Sequence, residues 1–382
     1  MKILMAIDYY RPHVSGLTLY VEHLAEALAT RGHAVRVLTN RHAPELPLES
    51  VENGVGVVRA PVLARVGKAL VAPAIVARAL AELPRSDVLH LHSPAANAVP
   101  VTFLAASLRV PIVLTYHCDL QLPASSGQGL VDMLARASQN FALERADRVV
   151  TYTEDYARNT QPLADRIEKV SWVLPPVPDP PRTGRSAAEV RTRYGIRGRP
   201  VILFLGRFAE EKGLPVLLTA FAKVRRRLPE AVLLLAGARE VAGETVWERV
   251  APLVADPASG VLAPGIVPPA EIADLFAVSD VLALPSINAT ESFGMVQVEA
   301  MLSGVPVVAS DLPGVRQPAR LTGMGEIARI GDADDLARRL LDVLESPERY
   351  RKNASRIRAI FPPEQTLDFY EELYRSVAGT PR

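Results

Sequence analysis

Short β-branched and leucine-rich runs alternate with longer amphipathic stretches along the whole chain. In the first half, runs at 3–7, 34–38, 55–59, 87–91, 111–116 and 148–152 predict strands, and stretches at 16–30, 68–83 and 127–144 predict helices. The strands are apolar without a break, which is the pattern of parallel strands covered on both faces. Strands and helices alternating in this way build a doubly wound, Rossmann-like α/β domain. The alternation restarts at 201–205 and continues through 231–236, 281–285, 305–309 and 326–330, with helices at 215–227 and 293–302. Between the halves stands VLPPVPDPP, a proline cluster that fits neither a helix interior nor a central strand. The expected architecture is a domain over 1–175, a linker over 176–199 and a second Rossmann-like domain over 200–360. Open parallel sheets bind ligands beyond the carboxyl ends of their strands, so two facing domains of this kind imply a site in the cleft between them.

Composition narrows the function. The 382 residues suffice for two to three domains at about 150 residues each, and 49% apolar with 22% charged residues is ordinary for a globular protein. A formal net charge of +1 gives no electrostatic reason to expect a nucleic acid polymer as partner. The single cysteine, Cys118, can form neither an internal disulfide nor a multi-thiolate metal site, and it fits a reducing, cytoplasmic compartment. The N-terminal apolar run is cut short by Asp8 and reads as a strand rather than a secretion signal. The longest uncharged stretch, 94–108, falls short of the roughly 20 residues that span a bilayer.

Two constellations carry candidate chemistry. After the strand at 201–205 comes GRFAEEKG, in which Arg207 and Lys212 flank a loop entering a helix. A guanidinium that forks two oxygens and an ammonium at a helix entrance suit a diphosphate. A solvated loop in which Glu210 and Glu211 neutralise both cations is the plain alternative. The second constellation is ESFGMVQVEA, with Glu291 and Glu299 eight residues apart. If fully helical, those steps separate the carboxylates by about 12 Å along the axis. That is too far for a retaining glycosidase pair, which sits about 5 Å apart, but it suits the two ends of an extended nucleotide sugar. Glu291 also reads as an acid favoured by a helix N-terminus, whereas Glu299 lies inside the apolar run MVQVEAML.

The first half adds further candidates. Ser15-Gly16 opens a helix whose free amides suit an anion, and Ser15 suits a cap. His117 and Asp119 follow the strand at 111–116, where ligand-contacting residues belong. His90 and His92 alternate on a strand and share a face, with His92 read as a cleft-edge residue. Cys118 points away from His117 on extended chain, so the two form no nucleophile pair.

Taken together and in this order, these motifs resemble the retaining GT-B glycosyltransferases of the glycogen-synthase-like and mannosyltransferase-like group, the glycosyltransferase family 4 type. The resemblance runs through YYRPHVSGLTLYVEHLAEALATRGHAVRVLT, GRFAEEKG, PPAEIADLFAVSDVLALPS and ESFGMVQVEAMLSGVPVVAS to an aromatic final helix. One departure is Ser15, where the family usually carries a second glycine. The resemblance implies a hexose moved from a UDP- or GDP-sugar to an acceptor hydroxyl with retention of configuration, in glycolipid, polysaccharide or glycoconjugate synthesis. No metal and no cofactor is expected, because Arg207, Lys212 and the helix start at Gly16 would supply the charge stabilisation. His117 would lie against the donor sugar near the reacting carbon, with Arg207 and Lys212 on the leaving diphosphate. Gly16, Glu291, Phe293, Gly294, Met295, Val296 and Glu299 would bind the donor, and the backbone around Gly265 and Val267 its base. Asp119 and His92 are assigned to the acceptor side, which is the first domain, and the last helix, 361–378, would return to that domain. A nucleotide-sugar epimerase on the same plan and a non-catalytic nucleotide-sugar-binding partner are the competing readings.

Two features read more plainly. Asp332-Ala-Asp334 resembles a metal-binding DxD motif but precedes an amphipathic helix, where aspartates cap and face the helix dipole. The segment 57–81 carries Arg59, Arg65, Lys68 and Arg78 with no acid among them. It is read either as a surface for anionic lipid at the inner membrane face or as a core-facing helix with solvated basic residues.

Overall fold

The computed structural model describes residues 1–66, 69–119, 129–239 and 245–379. The chain divides into two compact units, one comprising Met1–Pro176 and Pro362–Arg382 and the other Val177–Phe361. The first unit holds β1 (Lys2–Ala6), α1 (Gly16–Thr30), β2 (Ala34–Arg41), β3 (Glu49–Glu52), β4 (Val55–Pro61), β5 (Ala64–Val66), β6 (Ala69–Val71) and α2 (Ile75–Glu82). It continues with β7 (Val88–Ser93), α3 (Ala98–Ser107), β8 (Ile112–Tyr116), α4 (Gly129–Arg145), β9 (Arg148–Thr151), α5 (Glu154–Asn159), α6 (Gln161–Ala164) and β10 (Val170–Trp172). Its main sheet runs β10-β9-β8-β7-β1-β2-β4-β3, parallel except for the edge strand β3. Apolar side chains such as Leu4, Leu89, Leu91, Ile112 and Val149 are buried against the helices, as expected of strands covered on both faces.

The second unit holds α7 (Ala187–Arg193), β11 (Val201–Leu205), α8 (Leu214–Arg227), β12 (Val232–Ala236), α9 (Val246–Ala255), β13 (Val261–Gly265), α10 (Ile272–Val278) and β14 (Val281–Leu284). Then come α11 (Met295–Leu302), β15 (Val307–Ser310), α12 (Gln317–Thr322), β16 (Gly325–Ala328), α13 (Ala333–Glu345), α14 (Pro347–Tyr350) and α15 (Ala354–Ile360). Its sheet, β13-β12-β11-β14-β15-β16, is parallel throughout. The chain then returns to the first unit with α16 (Pro363–Ala378), where Arg31 pairs with Asp368 and His33 with Glu371.

Three details differ from the sequence expectation. The stretch expected as a linker is folded into the second unit from Val177 onward. A capping box between Ser186 and Glu189 starts α7, and Arg191 donates to the Val278 carbonyl at 2.9 Å. The helix expected over 68–83 is shorter. A β5–β6 hairpin precedes α2, and Lys68 lies outside the described residues, as does Gly127 at the expected start of α4. The basic segment 57–81 is also not free of acid partners. Arg59 is buried and pairs with Glu52 at 2.6 Å, and Arg78 pairs with Glu49 at 2.9 Å. Both acids come from β3, a strand too polar to be read from its pattern.

Candidate functional site

In each sheet the chain leaves β1 or β11 in one direction and later returns to the strand on its other side. The crevice this opens at the carboxyl ends is where doubly wound sheets bind ligands. In the second unit that point lies between β11 and β14. The loop after β11 carries Arg207 and Lys212, and the loop after β14 carries Glu291 and Gly294. Backbone contacts lock the two loops together. Ile287 donates its N–H to the Glu211 carbonyl at 3.0 Å, and Gly213, at φ +68°, lies so close that a Cβ there would meet the Pro285 oxygen at 2.0 Å. Only glycine fits that position.

This docking brings Lys212 Nζ to 2.5 Å from Glu291 Oε2, across 79 residues of sequence. Arg207 pairs with Glu211 at 3.0 Å, while Glu210 is taken by Arg249. The expectation that Glu210 and Glu211 neutralise both cations thus holds for Arg207 alone. The partly exposed Arg207–Glu211 pair contributes at most about 1 kcal/mol, whereas the Lys212–Glu291 pair is more enclosed.

Glu291 lies outside α11, which starts only at Met295, so the helical spacing assumed for the two glutamates does not apply. Gly294, at φ +76°, makes the turn into the helix, and a Cβ there would meet Leu284 Cδ2 at 2.4 Å. Phe293 is buried against Phe361, and Met295 and Val296 are half-buried in the first turn. Glu299 sits in mid-helix. Burial pushes its carboxyl up to about 7, and its side chain makes no hydrogen bond or ion pair among the described residues. Gly265 ends β13, two strands from β11, and its carbonyl accepts from Gly237 at 2.8 Å. Half-buried Val267 follows it. Asp332 caps α13 by accepting from the amides of Asp334 and Asp335, and Asp334 pairs with Lys223.

In the first unit the corresponding point lies between β1 and β7. Ser15 caps α1 through a capping box with Thr18 and leaves Gly16 exposed in the first turn. Asp8, which the sequence reading passed over, follows β1 and ties three strand ends together. It accepts from Ala96 N–H at 2.6 Å, from Asn97 Nδ2 at 3.3 Å and from Asn40 Nδ2 at 3.4 Å, while burial raises its carboxyl. His117 directly follows β8 and is buried inside the unit. Its Nε2 meets His92 Nδ1 at 2.9 Å and its Nδ1 meets the Tyr152 hydroxyl, and burial pushes its pKa down to about 3. His92 is fully buried, so the cleft-edge expectation is corrected: alternation along β7 gives the face of a side chain but not its depth. Half-buried Asp119 accepts from the Tyr116 hydroxyl at 3.0 Å, and its own N–H donates to Tyr156. The tyrosines around His117 went unread because they come from distant parts of the chain. Among the described residues, no cluster of three or more His, Cys, Asp or Glu side chains is arranged to hold a metal ion.

Comparison with known proteins fits both halves. Residues 15–173 match the glycosyl transferase 4-like domain family, and residues 187–359 match the family of glycosyl transferases group 1. A phosphatidyl-myo-inositol mannosyltransferase of Mycobacterium tuberculosis is 31% identical over 90% of this chain and 86% of its own. The chain belongs to the GT4-like GT-B glycosyltransferases. The corresponding Mycolicibacterium smegmatis protein is 29% identical to this glycosyltransferase over 91% of the chain and 86% of its own length. The fold matches Anabaena HepE, solved in complex with UDP-glucose, with a TM-score of 0.78 at 20% identity, covering 98% of this chain and 100% of the other. Sucrose-phosphate synthase from Thermosynechococcus elongatus gives 0.74 at 22% identity, covering 98% of each chain. Among the described residues, no helix of this glycosyltransferase is long and apolar enough to cross a membrane.

Proposed function

We propose that this glycosyltransferase moves a hexose from a nucleoside-diphosphate sugar to an acceptor hydroxyl with retention of anomeric configuration. The observation that carries the reading is the docking of the β11 and β14 loops, which sets Lys212 on Glu291 with Arg207 on the same rim. As the bond from the anomeric carbon to the diphosphate breaks, charge grows on the leaving phosphate. Lys212 and Arg207 exchange their carboxylates for it and stabilise it more than the ground state. Glu291, released by Lys212, accepts from the sugar hydroxyls, and Glu299 accepts from the ribose. The amides around Phe293, Gly294, Met295 and Val296 approach the donor, and the backbone near Gly265 and Val267 reads its base. Gly16 at the start of α1 adds free amides for the diphosphate. The acceptor oxygen forms its bond on the face the phosphate leaves, and its proton passes to the departing phosphate oxygen. No side-chain base is needed.

The cations supply the charge stabilisation without a metal, a reading supported by the engagement of Asp332 in a cap and Asp334 with Lys223. His117 lies by the sugar, and Asp119 serves the acceptor side. The mannosyltransferases of phosphatidyl-myo-inositol among the relatives support a lipid-borne or sugar acceptor. The test offers UDP-, GDP- and ADP-hexoses with a panel of sugar and lipid acceptors and follows free nucleoside diphosphate and product anomer by NMR. Release of diphosphate only with acceptor, giving the donor's anomeric configuration, is expected. An inverted product overturns retention, interconversion of the donor's sugar points to an epimerase, and binding without turnover leaves a binding partner.

A further inference from the structure

The last helix, α16, buries two tyrosines one turn apart, and their hydroxyls end on polar groups rather than on apolar core. Tyr374 meets His90 Nδ1 at 2.7 Å, and His90 Nε2 meets Thr115 Oγ1 at 2.7 Å. Tyr370 meets the same Thr115 oxygen at 2.7 Å and the Tyr20 hydroxyl at 2.7 Å. From this chain of buried hydrogen bonds two routes reach His117. The His90 ring lies against His92 with centroids 4.0 Å apart, and His92 shares its Nδ1 contact with His117 Nε2. Tyr20 sets its ring edge-on against His117, centroids 4.9 Å apart at 81°. All of these groups belong to the first unit and are buried.

The protons of this cluster can be counted. Burial lowers the pKa of His90, His92 and His117, so each ring is neutral and carries one N–H and one bare nitrogen. Both nitrogens of His90 and of His117 are bonded, while His92 Nε2 is buried without a partner. Among buried backbone groups an unpartnered N–H is rarer than an under-used acceptor, and the same preference assigns the bare nitrogen of His92 to Nε2, with its proton on Nδ1 donating to His117 Nε2. His117 then carries its own proton on Nδ1, toward Tyr152. Phenylalanine at either position would keep the packing but leave buried partners such as His90 Nδ1 or the Thr115 and Tyr20 hydroxyls short of a hydrogen bond.

We propose that α16 is a positioning element for His117: Tyr370 and Tyr374 fix its ring through Tyr20 and the His90–His92 stack, and His92 fixes its proton on Nδ1. The importance of this for turnover rests on the reading of His117 as a residue of the transfer site.

The test uses the full chain with Tyr370→Phe and Tyr374→Phe, singly and together, which keeps the rings and their packing. Histidine 15N NMR reads the His117 tautomer, and donor turnover gives kcat and KM. Expected in the tyrosine variants are shifted His117 signals, as for a moved ring, and a kcat about tenfold lower, as for a slightly misplaced group, with donor KM unchanged; a second His117 tautomer is expected only where His92 is replaced. His92→Asn, which keeps a polar atom near the Nδ1 position, should retain more kcat than His92→Ala. Unchanged His117 signals with unchanged kcat overturn the proposal. So does a lower kcat that follows only a lower melting temperature while the His117 signals stay as in the wild type. If the double variant does not fold, the single variants carry the same readout. Wild-type kcat in His117→Ala would remove the transfer-site reading instead, and the NMR result would then decide the coupling by itself.

Discussion

The two units share one architecture and handle polar groups in opposite ways. At its switch point the second unit presents ion pairs, Lys212 with Glu291 and Arg207 with Glu211, which under the proposed function a diphosphate displaces. The first unit holds a closed, neutral cluster of histidines and tyrosines below its β7 and β8 strand ends. All seven histidines of the chain precede residue 118. The same sheet topology therefore supports either displaceable charge or fixed geometry, depending on which side chains end its strands. Displaceable charge suits a diphosphate, and fixed geometry suits a group that must stand still.

The largest expected effect is a divergence with pH. The folded pKa values of His90, His92 and His117 lie below the unfolded value near 6.5, so the unfolded state takes up protons first and the first unit loses stability as pH falls through that value. His117 alone should account for about 2 kcal/mol of loss by about pH 5, with His90 and His92 adding in the same direction and Asp8, whose carboxyl is raised, opposing. Glu299 has the other sign. Its stability contribution is complete below about 4.5 and lost as pH rises to about 7, so the second unit gains from pH 7 down to 4.5. Each unit carries one of the two tryptophans, Trp172 or Trp247. Urea midpoints of the single-tryptophan variants should move in opposite directions between pH 7 and 5, and parallel movement would break the comparison.

Next in size is Glu299→Gln. At pH 8 the wild type holds an ionised carboxylate that burial disfavours, so the variant should be more stable by up to about 3 kcal/mol, with the gap closing toward pH 4. Urea titration of Trp247 fluorescence reads this. Weaker donor binding alongside the gain would mark a carboxylate kept for its ligand.

Lys212→Ala and Arg207→Ala should each lower kcat about 100-fold, or about 2.7 kcal/mol, by removing a charge from the leaving group. Near-wild-type turnover in either variant would remove the diphosphate assignment and make the second unit's ion pairs ordinary surface contacts. The smallest effect belongs to Asp332→Ala. Loss of the α13 cap should cost about 1 kcal/mol in the Trp247-reported transition and leave turnover intact, whereas a turnover loss rescued by added divalent cation would restore the metal reading.

Much of the fold is legible in the sequence because each strand and helix writes its own period. The helix at Gly16–Thr30 and the strand at Val201–Leu205 fall where the pattern puts them. The elements that escaped have local reasons. The strand Glu49–Glu52 is a polar edge, Val170–Trp172 is only three residues long, and Val261–Gly265 contains a proline. The hairpin before α2 hides in an apolar run that also suits a helix. For the site, the residue types at the strand ends were readable and their pairings were not. Nothing in GRFAEEKG announces that its lysine meets Glu291, and nothing in LHLHS tells that His92 is sealed from water.

The sequence by itself determined two doubly wound domains, the kinds of group at their strand ends and the family to which they belong, because periodicity and motif spacing are local properties. Only the tertiary structure decided which carboxylate holds Lys212, how far burial raises Glu299, and that Tyr370 and Tyr374 come back to the histidines of β7. Those outcomes depend on distances between residues remote in sequence and on the exclusion of water, and neither exists until the chain is packed.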